Sequence, residues 1–225
     1  ALALFSASVA HAGGGYFLLG YGPLAHQSGG VGTATGFDGF AGASNPAKLA
    51  YTDERVDLGL LLFSPYRRAN RTGSTNGTYD LTTTSRNSFY VLPEAGYVQR
   101  INARWSWGLS LYGNGGLNTE YPDNNGQPGT NFNPARCGDA PANLFLGCGK
   151  VGFDLAQVII APTLSWRADE NYSFGITPLL AFQRFKAYGF QAFEAVSSAP
   201  DALTNLGYDE AFGAGLRVGG FGRIT

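Results

Sequence analysis

A two-residue alternation of apolar with small or polar side chains, repeated in six separate stretches, constrains this chain more than any other feature. Around 104–113, Trp105, Trp107, Leu109 and Leu111 fall on one side, and Arg104, Ser106, Gly108, Ser110 and Tyr112 on the other. Val56, Leu58, Leu60 and Leu62 alternate with Asp57, Gly59 and Leu61. Phe89, Val91, Ala95 and Tyr97 alternate with Tyr90, Glu94, Gly96 and Arg100. Phe174, Ile176, Leu180 and Phe182 alternate with Ser173, Gly175, Thr177 and Arg184. Phe212, Ala214, Leu216 and Val218 alternate with Ala211, Gly213, Gly215 and Arg217. Residues 151–166 alternate as well, with a change of phase near Pro162 that predicts a bulge. Such a period belongs to strands with two unlike faces.

The predicted strands run to about 10–15 residues, enough to cross a bilayer when tilted. Their connections sort by length. Residues 101–103 and 168–171 read as tight turns, and Gly222-Arg223 as the start of another. Long polar loops cover 67–87, 115–150 and 186–208. Long and short connections alternate strictly, which is the asymmetry of an outer-membrane barrel. A soluble β-sandwich also alternates, but its strands are about 5–6 residues long and nothing sorts its long loops to one end. The expected fold class is therefore all-β, a transmembrane antiparallel β-barrel.

Composition agrees with that choice. Charged residues are 14% of the chain, against about 25% in a typical soluble domain. Aromatics are also 14%, with 33 glycines. A formal net charge of -1 gives no reason to expect nucleic acid as a partner, and a hydrophobic fraction of 44% argues against disorder. No stretch approaches the roughly 18–20 apolar residues of a membrane-spanning helix.

Three regions follow. Residues 1–12 read as the remnant of an export signal, with an apolar start and the small-x-small pattern Ala10-His11-Ala12. The lack of any Met, and an end inside a strand-and-turn pattern, lead to the expectation that both ends are cut. Residues 13–52 are rich in Gly, Ala and Ser without clean alternation, and apolar Tyr16-Phe17-Leu18-Leu19 favours an ordered plug over a disordered leader. Residues 53–225 carry the six strands, too few to close a barrel. Cys137 and Cys148, among Gly, Pro and Asn, are expected to form a local disulfide in an exported protein. No cofactor and no metal site are expected, because the two thiols lack further ligands nearby.

Nothing points to an enzyme. There is no G-x-S-x-G. His26 lies in the plug region, away from any serine partner. The pairs Asp53-Glu54, Asp169-Glu170 and Asp209-Glu210 sit at strand ends or turns, where neighbours on a strand face opposite ways. Gly213-x-Gly215 lacks the helix that a dinucleotide site needs.

Asn45-Pro46-Ala47, behind Gly29-Gly30-Val31-Gly32-Thr33-Ala34, resembles the hatch of the outer-membrane long-chain fatty-acid and aromatic-hydrocarbon transporter family, the FadL/TodX type. Leu111-Tyr112-Gly113-Asn114-Gly115-Gly116-Leu117-Asn118-Thr119-Glu120-Tyr121 and Gln183-Arg184-Phe185-Lys186-Ala187-Tyr188-Gly189-Phe190 look like the same family. The resemblance implies a fourteen-stranded, monomeric barrel in the outer membrane of a Gram-negative bacterium, among outer-membrane lipid. This chain would supply six strands, the beginning of a seventh, and the N-terminal hatch. It also implies passive uptake of hydrophobic small molecules, long-chain fatty acids first, with a monoaromatic hydrocarbon channel as the alternative. An outer-membrane lipid-acting enzyme would need catalytic residues from outside this chain. A structural or adhesive barrel has no use for an ordered plug.

Within the family reading, Asn45, Pro46 and Ala47 take a gating role as a scaffold. Tyr16, Phe17 and Leu18 are candidates either to touch ligand or to pack the interior. Phe190, Phe193 and Val196, three apart, share one face of a predicted short helix. They form either a capture groove or a contact with a neighbouring loop, and Leu144, Phe145 and Leu146 share that ambiguity. Arg100, Arg104, Arg184 and Arg217 are expected to point inward, to meet a carboxylate or to pair with Glu94 or Asp154. Trp105, Trp107 and Trp166, beside the short turns, fit an interfacial aromatic girdle.

Overall fold

In the computed structural model, residues 15–77, 80–123, 138 and 140–223 are described. The predicted signal remnant, Gly13, Gly14 and Cys137 lie outside them. Every alternating stretch forms a strand: β1 Arg55–Phe63, β4 Tyr90–Arg100, β5 Trp105–Tyr121, β6 Val151–Arg167, β7 Tyr172–Tyr188 and β8 Asp209–Gly222. They make one antiparallel sheet in the order β1-β4-β5-β6-β7-β8, so each strand lies beside the next in this series. β1 and β8 are its two edges, and the sheet is open. Two short strands, β2 Arg68–Arg71 and β3 Leu81–Thr84, pair as a separate hairpin inside the first long loop. No helix among the described residues is long and apolar enough to cross a membrane.

The short turns are closed by their own side chains. Asn102 Oδ1 accepts from the N–H groups of Arg104 and Trp105 at 2.9 and 3.0 Å. Asp169 Oδ1 accepts from Asn171 and Tyr172, both at 2.7 Å. Asn and Asp favour such turns because a side-chain carbonyl or carboxylate can stand in for a backbone acceptor. Two-sided β-hairpins of this kind bring long strands together in fixed register.

One face of the sheet carries the large apolar residues, and they are exposed: Leu58 is 77% accessible and Phe212 85%. Near the short turns this face carries an aromatic row. The Trp105 and Trp166 rings lie 6.3 Å apart, and Trp166 and Phe174 6.2 Å. Across the neighbouring pair, Tyr97 and Trp107 meet edge-on at 5.2 Å. The other face carries Ser106, Ser110, Thr163, Ser165, Ser173 and Thr177, all buried.

Two expectations about the strands are corrected. β6 has no phase change at Pro162: burial alternates without interruption from Val158 to Trp166. Ile159 and Ala161 face inward against Phe40, Ala43 and Tyr112. Apolar residues therefore occupy both faces of β6 there, and the sequence pattern imitates a slip. Pro162 falls in the one stretch where the β6–β7 ladder is interrupted, while the register on either side is unchanged. The Thr163 and Thr177 hydroxyls share a hydrogen bond of 2.7 Å across that stretch. The bulge instead lies in β5, between Gly113 and Gly115.

The second correction concerns Arg184 and Asp154. The registers of β7 with β6 and β8 are continuous, so Arg184 shares the face of Phe174, Ile176 and Leu180 and points outward. Asp154, even-numbered like Ile160 and Leu164 on unbroken β6, does the same. Arg217 does face inward, donating to the carbonyl of Ala43. Arg100 and Arg104 are exposed at the short-turn end.

Candidate functional site

The inner face is polar and small because the N-terminal residues lie on it. Gly39 crosses Gly96 so closely that a Cβ on Gly96 would stand 2.5 Å from the Gly39 carbonyl carbon. A Cβ on Gly175 would stand 2.4 Å from the Pro46 carbonyl carbon. Only glycine permits this approach of two backbones. Hydroxyls then serve the crossing chain: Ser110 donates to Gly39 O at 3.2 Å, and Ser165 and Ser173 both donate to Ala47 O at 3.2 and 2.8 Å.

Asn45, Pro46 and Ala47 sit at the centre of this contact. Asn45 precedes the 3₁₀ helix Pro46–Tyr51 and caps it, its Oδ1 accepting from Ala47 N at 3.1 Å. Its Nδ2 donates to Thr33 O and to Gly220 O, each at 3.1 Å. Pro46 fills the first helical position, where no N–H is needed. The motif thus ties three strands, β6, β7 and β8, to the segment. Further on, Tyr51 is held between Arg167 and Arg223, with guanidinium carbons 4.7 and 4.5 Å from its ring.

Two charged residues hold the segment's shape: Lys48, which sequence reasoning missed, and Glu94, which it placed inward but gave to an arginine. Lys48 is 1% accessible. Its ammonium donates to the carbonyls of Gly32, Thr35 (2.6 Å) and Gly36 (3.0 Å), closing the loop before the short helix Ala41–Ser44. Burial pushes its pKa down to about 8, with the Asp38 carboxylate opposing. Glu94, on the inner face of β4, accepts from Gly22 N at 3.0 Å and lies 3.6 Å from His26 Nε2. A lysine in a Gly/Ala-rich stretch could have signalled such a cage, since a buried ammonium needs several carbonyls.

Tyr16, Phe17 and Leu18 lie where the sheet parts. β4 and β5 pair only from Arg100↔Ser106 to Ala95↔Leu111. Beyond that β4 stays with β1, while β5 bulges and stays with β6. In the space left, Phe17 bridges Gly115, Tyr16 O accepts from Gly116 N at 2.9 Å, and Leu18 N donates to Asn114 O at 3.4 Å. The opening is closed above by Tyr90, whose hydroxyl donates to Asn118 O at 2.8 Å, and by Arg86 N donating to Glu120 O at 2.8 Å. Tyr16 and Phe17 remain exposed, their rings 4.3 Å apart. Gly113-Asn114-Gly115-Gly116 inside a strand was the signal for this break.

Above the segment, the inner face turns aromatic. Phe153 and Phe185 stack at 6.0 Å, and Phe153 meets Phe190 at 4.6 Å. Phe145 stacks on Phe190 at 5.7 Å and meets Phe193 at 6.2 Å. The helix over 191–196 is a 3₁₀ helix, in which residues three apart eclipse. Phe190 and Phe193 join the cluster, whereas Val196 is 83% accessible and stands apart. This loop packs on 140–150, with Asn143 Nδ2 donating to Gly189 O at 2.8 Å, and it leaves Phe145 and Phe193 partly open. Leu144 is buried, and Leu146 takes a positive φ of 64°. Phe153 and Phe185 escaped the sequence reading. Cys148 is disulfide-bonded, and its expected partner Cys137 lies outside the described residues. Among the described residues, no group of three or more His, Cys, Asp or Glu is placed to hold a metal.

Three solved structures resemble this arrangement. The P. putida toluene transporter TodX matches with a TM-score of 0.67 and 19% identity, over 92% of this chain and 53% of that chain. The chain has the fold of the FadL/TodX transporters. A Pseudomonas aeruginosa FadL homologue matches with a TM-score of 0.57 and 16% identity, over 86% of this chain and 46% of that one. A TodX deltaS2S3 mutant, a monoaromatic hydrocarbon channel, matches with a TM-score of 0.65 and 19% identity, over 92% and 52%. The chain spans about half the length of the solved structures it matches. No family model and no curated relative matches it.

Proposed function

We propose that the protein is an outer-membrane channel for the passive uptake of hydrophobic compounds, with long-chain fatty acids its foremost cargo. The observation that carries this reading is the parting of β4 from β5 with residues 16–18 lying across it. A sheet whose outer face is apolar has no reason to break its own ladder unless something passes through the wall, since each unpaired backbone group next to lipid costs free energy. In this reading 13–52 is a plug, Asn45, Pro46 and Ala47 its gating scaffold, and Tyr16, Phe17 and Leu18 the residues that give way to ligand. The ring cluster of Phe145, Phe153, Phe185, Phe190 and Phe193 is the entry groove, an open apolar surface at the long-loop end. The cargo then leaves sideways into the membrane and never crosses a water-filled lumen. The likeness to transporters supports a non-enzymatic role.

The test is uptake of radiolabelled oleate by cells lacking their own transporter and expressing the full-length gene, with toluene entry measured in parallel. Saturable oleate uptake that disappears when 13–47 is deleted is the expected result. Toluene entry alone moves the cargo to monoaromatic hydrocarbons, and uptake of neither overturns the proposal.

A further inference from the structure

On the outer face of β6, β7 and β8, at the end away from the tryptophans, the side chains change character. Phe174 and Arg184 share that face of β7. The ten residue steps from one to the other measure about 33 Å along a strand. At a tilt of about 40° that rises roughly 25 Å, the height of the apolar band of a membrane barrel. Arg184 and Lys186 therefore stand at the opposite interface from Trp166 and Phe174, on the side of the long loops.

Both cations are held by tyrosine rings. Arg184 lies 4.8 Å from the Tyr208 centroid, and Lys186 lies between Tyr208 at 4.4 Å and Tyr188 at 5.5 Å. The rings are themselves fixed: Tyr188 donates to Thr119 O at 2.8 Å, and Tyr208 donates to Asp154. Asp154 faces Lys186 in the ladder and accepts from Tyr208, but no ion pair within 4.0 Å joins it to Lys186 among the described residues; Glu120 is taken by Lys150 at 2.7 Å. Glu210 faces Arg184 in the ladder, but no ion pair within 4.0 Å joins them among the described residues. The five N–H groups of a guanidinium and three of an ammonium are thus positioned but make no hydrogen bond or ion pair among the described residues. At the edge of an apolar band, where water is scarce, such donors need anionic acceptors.

We propose that Arg184 and Lys186, braced by Tyr188 and Tyr208, form a binding site for the phosphate of an outer-leaflet lipid headgroup. Arginine matches phosphate oxygens in a two-pronged fashion, and the lysine adds a second charge beside it. Basic residues next to aromatic rings at an interface are the usual means of holding an anionic lipid. The site rests on the outer-membrane placement proposed above, but not on the identity of the cargo.

The experiment is a titration of the detergent-purified full-length protein with lipid A carrying its phosphates, and with the same lipid after dephosphorylation, followed by native mass spectrometry. The expected result is binding of the phosphorylated lipid at least about tenfold tighter, the size of a charge-assisted hydrogen bond. That preference is lost in the Arg184→Gln/Lys186→Gln variant and kept in Arg104→Gln at the opposite rim. Folding of each variant is checked by its heat-modifiable migration on gels. Equal binding of the two lipids by the unaltered protein overturns the site and requires no variant. So does an unchanged preference in the double variant, or displacement of the lipid by inorganic phosphate. A protein that stays soluble without detergent sinks the membrane placement instead, which separates the two failures.

Discussion

On the outer face of the sheet Leu58, Leu60, Ile160 and Phe212 stand exposed, while on the inner face Ser110, Ser165, Ser173 and Thr177 are buried. In a water-soluble sheet the assignments would be exchanged. The difference teaches that each face has its own solvent. A contiguous apolar surface across six strands is tolerated only if the surroundings are apolar too. The small hydroxyl-bearing face has a different requirement. It offers little apolar area, so its cover is held by hydrogen bonds and by backbone contact at glycines.

The largest effect belongs to Gly96→Ala. The new Cβ meets the Gly39 backbone at 2.5 Å, and no rotamer relieves a backbone clash. The N-terminal segment is expected to leave the sheet, a loss of more than about 3 kcal/mol of docking free energy. Limited proteolysis should then cut within 20–52, while heat-modifiable migration shows the strands intact. Gly220→Ala is the matched control on the outer face, where a Cβ meets only the Phe174 ring at 3.8 Å. Equal protease resistance in both variants would break the comparison.

The outer face is tested by Ile160→Arg. Ile160 lies midway along β6 between Trp166 and Asp154, so in a membrane it sits near the midplane. There an arginine costs about 2–4 kcal/mol. In water the same change at a side chain already 43% accessible costs almost nothing. Urea unfolding in lipid vesicles, compared with the unaltered protein, measures the difference. No loss of stability would mean that lipid does not cover this face.

The outer face was legible in the sequence because its solvent imposes one rule at every second residue. All six strands, their short turns and the tryptophan row follow from that rule. The inner face was less legible, because what its residues face is another part of the chain. Ile159 and Ala161 are apolar and inward because Phe40 and Ala43 lie on them, and no local pattern announces this. Arg184 was misplaced for the reverse reason. It is a charged residue on the lipid-side face, where the band ends and headgroups begin. Asn45-Pro46-Ala47 was singled out by resemblance, but its partners Ser165, Ser173 and Gly220 are set by register across more than a hundred residues. The alternation put Glu94 on the inner face but not its partners Gly22 and His26, and Lys48 acquires its meaning only from the carbonyls brought around it.

Asn45→Ala sharpens the account of the inner face. It removes two donor contacts and one cap while leaving the backbone path open, so Thr33 O and Gly220 O lose a partner. About 2 kcal/mol of docking free energy should be lost, less than for Gly96→Ala. Hydrogen exchange of the Ala47 amide is the direct readout, and an unchanged rate would remove Asn45 from the proposed gating scaffold.

The smallest expected effect comes from pH, and its sign is informative. Lys48 ionises near 8 in the folded protein against 10.5 when unfolded. Below pH 8 both states hold the proton, and the folded state bears the full cost of burying the charge. Between 8 and 10.5 the folded lysine is neutral while the unfolded one stays charged, so the cost is relieved and stability rises with pH. From pH 8 to 9 the gain in segment docking should be about 1 kcal/mol. It is read as slower proteolysis within 20–52, after correction for the protease's own pH profile. Lys48→Met should abolish the pH dependence while weakening docking at every pH, because the carbonyls of Gly32, Thr35 and Gly36 then lack their donor. No rise between pH 8 and 10.5, followed by a fall above 10.5, would have the opposite meaning: the three carbonyls would favour the ammonium by more than burial opposes it. The inner face would then be held together by a buried charge, and its contrast with the outer face would be electrostatic as much as a matter of packing.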